Sequence, residues 1–291
     1  MQLRCAIAML TLLFLITLQG QAESATTTSQ IPPNPNIKIA YQPPARLELI
    51  PLYERLRARQ VLESMQRFLS PLVLTREIEV QFEQCDAAEL RYKPGGPATV
   101  CYEYVAQIER MAPSAQQVEL SQGTVTREET IVGPTVQAVL HQVALAIFDA
   151  LDVPVWGRRD DAADRVAAFI MLQFGAQTAW TTIVGSAWFL AGSAGAPSDF
   201  GDVRGTVAQR YYTMLCMAMG SPLIVYGDQQ LFATFASTGA AGSLPGQRVA
   251  NCRNEYAMLA LAFEKTLAPY VDPAKLELVR SKPMNWIVYR Q

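Results

Sequence analysis

Val139-Leu140-His141-Gln142-Val143-Ala144-Leu145-Ala146-Ile147-Phe148-Asp149-Ala150-Leu151 is the stretch on which the fold turns. From Thr135 onward this run is apolar nearly all round, broken only by Gln137, His141, Gln142 and Asp149. A surface helix shows one apolar stripe, whereas a helix that is apolar on every side belongs inside the protein. The segment therefore predicts a buried helix. It also carries the only histidine of the chain, His141.

A helix that holds catalytic zinc presents His at i and i+4 to the metal and Glu at i+1 to its bound water. Here i+1 is Gln142 and i+4 is Leu145. An amide cannot act as a carboxylate base, and Leu145 has no lone pair to donate. The simpler reading of His141 is a buried, hydrogen-bonded side chain.

The chain opens with the marks of a signal peptide over residues 1–22: Arg4, an apolar run from Cys5 to Leu18, and small residues at Gly20-Gln21-Ala22. That run is shorter than the roughly 20 apolar residues that span a bilayer. The expectation is a secreted or periplasmic protein with no stable membrane span after cleavage. The formal net charge of −2 gives no reason to expect nucleic acid or an anionic membrane as a partner.

Four cysteines follow the signal segment: Cys85, Cys101, Cys216 and Cys252. No pair has C-x-x-C spacing, so disulfides are favoured over a metal site or a catalytic thiol. Three connectivities exist, and the local pairs Cys85–Cys101 and Cys216–Cys252 are preferred. Closing the shorter loop is worth about 3 kcal/mol in the chain-entropy model.

Residues 23–44 are rich in Thr, Ser, Gln and Pro and read as a flexible leader. Residues 45–291 read as one domain, with an N-terminal α/β lobe over 45–130 and a helical lobe over 131–291. Leu52, Leu56, Val61, Met65 and Phe68 predict an amphipathic helix from Pro51 to Leu69. Ile78, Val80 and Phe82 alternate with polar residues as a half-buried strand, and Tyr92 to Pro97 is a turn. Thr99 to Tyr104 then returns as a second strand, in a hairpin-like unit stapled by Cys85–Cys101.

Beyond Gly133-Pro134 the pattern is mostly helical. Pro154 and Gly157 break the chain, and Asp160 or Asp161 caps a helix that runs through Phe174. Further helices are expected around 177–191, 205–219 and 249–267. Val166 to Ser198 carries no charge, which raises a transmembrane span. Gln173, Gln177, Thr178 and Thr181 interrupt it and Gly175 divides it, so two buried helices are expected instead. Ser193, in Gly192-Ser193-Ala194-Gly195, only faintly matches a nucleophile elbow. A carboxylate site for Ca²⁺ or Mn²⁺ around Asp149, Asp152, Asp160 and Asp161 has no ligand spacing that requires it.

Leu140-His141-Gln142-Val143-Ala144-Leu145, the turn ending in Pro154, Gly157-Arg158 and Asp160-Asp161-Ala162-Ala163-Asp164 together resemble a known family. It is a bacterial family of secreted, metallopeptidase-like proteins, a domain of unknown function whose motifs read H-E-x-G-H and E-D-A-A-D. Cys85, Tyr92, Cys101-Tyr102-Glu103, Gln209-Arg210-Tyr211-Tyr212, Cys216, Gly220 and Cys252-x-x-Glu255-Tyr256 extend the likeness over most of residues 45–270. The resemblance implies an α+β, mainly helical, zincin-like metallopeptidase fold with a small strand-containing N-terminal lobe.

It also implies zinc held by two His and an acidic residue, with Glu as base. Carried onto this chain, His141 keeps the first ligand, Leu145 replaces the second and Asp160 stands for the third. Gln142 occupies the vestigial base position, and Asp164 is the carboxylate that would orient a ligand. Glu89-Leu90 and Ala144 depart from the family pattern as well. The expectation is a degenerate site with no cofactor, or zinc only if carboxylates have rebuilt the centre, in a protein that binds a peptide or protein. The alternatives are an active metal-dependent peptidase with an atypical site and a structural envelope protein. The carboxylates at 160, 161 and 164 also suit a helix N-terminus with no site role.

Overall fold

The structure, a computed structural model, describes residues 31–120, 123–193, 203–223 and 246–281. The expected signal peptide and the first part of the leader lie outside the described residues. The described residues form one compact unit, mainly helical with a small sheet.

The sheet contains β1 (Ile37–Tyr41), β2 (Ile78–Glu83), β3 (Leu90–Arg91) and β4 (Ala98–Cys101), in the order β1-β2-β4-β3. The leader reading of 23–44 therefore needs correction, since Ile37–Tyr41 is a strand beside β2. Its alternation is visible in Ile37, Ile39 and Tyr41, and the Tyr41 ring stacks on Phe82.

The hairpin expectation also needs correction. β2 runs parallel to both β1 and β4, and only β3 is antiparallel. Glu83 is in register with Cys101, so the Cys85–Cys101 disulfide joins the carboxyl ends of two parallel strands. Nor does the second strand reach Tyr104, because α3 (Tyr102–Met111) begins immediately after Cys101. The buried Glu103 side chain explains the stop. It accepts the backbone N–H groups of Cys85 and Asp86 at 3.1 Å each and pairs with Arg46, so it ties the loop after β2 to α3.

The expected helix from Pro51 to Leu69 is two helices, α1 (Ile50–Ala58) and α2 (Val61–Phe68). Gln60 sits between them at φ 52°. The apolar spacing carried the warning, since Leu56 to Val61 is a five-residue step that no single helix face accommodates.

α4 (Glu129–Ala150) is the buried helix expected from Val139–Leu151, and it starts six residues before Thr135. Pro134 is inside it, in the second turn, where it forgoes one helical hydrogen bond. Of its most apolar 18-residue window, 94% is buried within the fold. β2, β4, α5 (Arg159–Leu172) and α6 (Ala176–Ser193) all pack on it. α5 and α6 divide the long uncharged stretch at Gly175, whose φ of 86° suits glycine.

α7 (Val207–Gly220) starts with a capping box from Thr206 and Gln209. α8 (Gly246–Thr266) is joined to it by the Cys216–Cys252 disulfide, the second of the two favoured pairs. α9 (Pro273–Arg280) is capped by Asp272, whose N–H donates to the Pro71 carbonyl at 2.8 Å. A two-stranded ribbon of β5 (Gln117–Leu120) and β6 (Gly123–Thr126) precedes α4.

The α4–α6 contact is backbone against backbone. A Cβ at Gly185 would lie 1.8 Å from the Glu129 carbonyl oxygen, and one at Gly133 2.5 Å from that of Thr182. Gly185→Ala is expected to force the helices apart and cost about 3 kcal/mol or more. A urea titration followed by circular dichroism checks this; an unchanged midpoint would mean that the helices can separate freely.

Candidate functional site

Gln137, His141, Leu145 and Asp149 recur every fourth residue of α4 and so share one face of it. The first two turns of α5 and the first turn of α7 bring Asp160, Asp164 and Arg210 to this face. His141 is 0% exposed. Its Nδ1 lies 2.8 Å from Asp164 Oδ1, and its Nε2 lies 3.3 Å from Asp160 Oδ1.

Asp164 is the hub. Its Oδ1 also accepts from Gln137 Nε2 at 2.9 Å and from Arg210 Nη2 at 3.1 Å, while Oδ2 accepts from Arg210 Nε at 2.6 Å. Burial alone would push the Asp164 carboxyl up, but the Arg210 and His141 charges hold it well below the ordinary carboxylate range. Asp160 is lowered too, first by its hydrogen bond with His141. Burial pulls the His141 pKa down, but Asp164 and Asp160 more than reverse that and raise it above the ordinary 6.5.

These surroundings decide the ring's protonation. An ionised carboxylate can only accept, so an acceptor beside each ring nitrogen favours the imidazolium form of His141. An imidazolium has no lone pair left for a metal. Gln142 is 2% exposed, and its Oε1 is buried without a hydrogen-bond partner among the described residues. Leu145 is 7% exposed and joins the apolar core.

Next to Leu145, Arg159 donates from Nη2 to Asp149 Oδ1 at 2.6 Å and to the Leu145 carbonyl at 3.5 Å. Tyr92 donates to the other Asp149 oxygen at 2.6 Å. A guanidinium therefore sits beside the Leu145 turn of α4.

Other expected groups are placed differently. No carboxylate caps α5, whose N-cap is Arg158, so the capping expectation for Asp160 or Asp161 needs correction. Asp160 turns to His141, and Asp161 binds Arg158 Nε and the Gly205 N–H, both at 2.8 Å. Asp149, Asp152, Asp160 and Asp161 form no common cluster. Asp152 pairs with Arg76, and the other three have the partners just named. Ser193 is the last residue of α6 and donates to the Phe189 carbonyl at 2.9 Å, so it is not on a strand-to-helix elbow. All four described cysteines are in disulfides.

Two contributors were named in the sequence but given no role at the site. Arg210 is the only charged residue in α7, which is itself a signal, because an isolated charge in an apolar helix needs a buried partner. Gln137 lies one turn before His141 on the same face.

Residues 41–267 match a family model described as "Putative metallopeptidase". No curated protein and no solved structure matches the chain.

Because His141 is the sole histidine, ring nitrogen signals in a ¹⁵N-labelled sample report on it alone. Both nitrogens are expected to be protonated at pH 7; a neutral single tautomer would sink the imidazolium assignment. Stability should follow the same groups. Asp160 and Asp164 are lowered from 3.8, so their contribution is present above that pH and is lost on acidification. His141 is raised from 6.5, so its contribution is present below that pH and lost as the pH climbs through the folded value. Burial, helped by Glu129 and opposed by Arg59, pushes Glu128 up to about 7, which likewise favours the acid side. Urea midpoints measured from pH 3 to 9 should therefore peak between 3.8 and 6.5.

Proposed function

The chain belongs to this metallopeptidase family, and from that kinship we propose that it is a non-catalytic member that holds a peptide or protein segment without cutting it. The observation that carries this reading is the state of His141, clamped between Asp164 and Asp160 with both ring nitrogens engaged.

Zinc, the ion that the resemblance implies, does not fit this donor set. A catalytic zinc site uses three protein ligands and keeps one position for water. Here the first position is an imidazolium, the second is Leu145, and only the Asp160 carboxylate is suited to a metal. A cation at Arg159 borders the second position. Gln142 cannot take a proton from water, so the general-base step has no acceptor at its usual place.

Binding is supported by what remains around the site. β3 forms an edge of the sheet, and an edge strand offers backbone donors and acceptors to an extended peptide. Beside it lies an open cleft of about 230 Å³ lined by Arg76, Glu79, Tyr92, Gly96 and Asp149. Its polar walls suit a peptide backbone better than a lipid.

Metal content and peptide fate test the proposal together. The full chain is loaded with zinc, dialysed, analysed by mass spectrometry and incubated with a peptide library. The expected result is less than about a tenth of an equivalent of zinc, with peptides retained uncut. Near-stoichiometric zinc with cleavage, both lost in His141→Ala, would establish an active atypical peptidase instead. No retained peptide, with wild-type behaviour after Tyr92→Ala, would leave a structural role. The double substitution Gln142→Glu with Leu145→His should raise zinc to about one equivalent. Its failure in a folded protein would break the correspondence between α4 and the family's metal helix.

A further inference from the structure

On the Arg210 side of Asp164, away from His141, a polar pocket of about 150 Å³ opens between α5, α7 and α8. Four guanidinium groups line it, those of Arg158, Arg165, Arg210 and Arg248, against two carboxylates, Asp161 and Asp164. We infer that this pocket binds a compact oxyanion, either a phosphate or the free carboxylate of a peptide.

Counting donors against acceptors leads there. Both carboxylates are already committed. Asp161 takes one bond on each oxygen, from Gly205 and Arg158, and Asp164 is filled by His141, Gln137 and Arg210. The guanidinium groups, with five N–H each, are far from spent. Among the described residues Arg165 makes one hydrogen bond, from Nη1 to the Asp161 carbonyl at 3.4 Å, and no carboxylate among them pairs with it. Arg248 shares its Nη2 between Thr213 Oγ1 at 3.4 Å and Glu255 at 3.2 Å. Its Nε is buried without a hydrogen-bond partner among the described residues. Even with Glu255 counted beside the pocket, four positive groups face three negative ones.

A buried N–H without an acceptor is costly, and a cluster of guanidinium groups matches the geometry of carboxylate and phosphate oxygens. The floor is prebuilt. Arg210 is 10% exposed, lines the pocket and is fixed by its two bonds to Asp164, so its charge is held in place without reorganisation. The volume suits a small oxyanion group and not a bulky side chain. The inference does not depend on whether the His141 centre holds a metal, because Arg210 occupies both Asp164 oxygens on the pocket side whatever lies beyond the ring.

The test is calorimetric titration of the full chain with three probes: inorganic phosphate, a tripeptide with a free C-terminus, and the same tripeptide amidated. At least one of the first two should bind with a Kd at or below about 1 mM, more weakly as salt is raised. Phosphate alone identifies a phosphate site; free peptide over amidated peptide identifies a carboxylate site. Arg165→Gln and Arg248→Gln, both on partly exposed side chains, should each weaken binding about tenfold with an unchanged urea midpoint. A second measurement avoids variants altogether: phenylglyoxal labelling of Arg165 and Arg248 should be slowed by whichever probe binds. Absence of saturable binding by phosphate and free peptide, or equal labelling with and without the bound probe, overturns the inference.

Discussion

A single buried carboxylate holds the helical half together. Asp164 on α5 is bound to His141 and Gln137 on α4 and to Arg210 on α7, so three helices meet at one pair of oxygens. Taking charges out of water costs several kcal/mol each, and only close partners with good geometry offset that. The offset here depends on all the partners being present at once. The relative placement of α4, α5 and α7 is therefore specified by chemistry as well as by apolar packing, which tolerates small slides.

The same hub fixes the histidine as well as the helices. In metal sites, a carboxylate on the far ring nitrogen orients the ligating histidine. Here that carboxylate is Asp164, and its other partners satisfy it whatever happens on the opposite side of the ring. Across the ring, Asp160 lies 3.3 Å from Nε2 and acts with Asp164 to raise the His141 pKa. The family match over residues 41–267 and the presence of Gln142 and Leu145 on the buried helix are thus compatible in physical terms.

What could be read from the residues, and what could not, follows the range of each interaction. The helices α5 to α8 were legible because apolar period and the break at Gly175 are local signals. The disulfide pairs were legible from spacing. β1 was hidden among prolines and polar residues although Ile37, Ile39 and Tyr41 alternate, and the parallel pairing of β2 with β4 was invisible because register is set by contacts far apart in sequence. At the site, His141, Asp160 and Asp164 could be named from the motif. The direction of Asp161 towards Gly205 and the position of Arg159 beside Leu145 depend on how the turn after α4 is folded, which no spacing rule supplies.

The burial of α4 has a consequence for how the protein is made. Its 22 residues leave the ribosome before α6, whose first residue lies 26 positions further on, and well before α7. Until those helices arrive, the nascent chain displays a segment with a mean hydropathy of 1.6, long and apolar enough to enter a bilayer. Chain order thus makes synthesis a race between partition into lipid or aggregates and capture by the downstream helices. Lengthening the loops after α4 would prolong that exposure without altering a single native contact in the core.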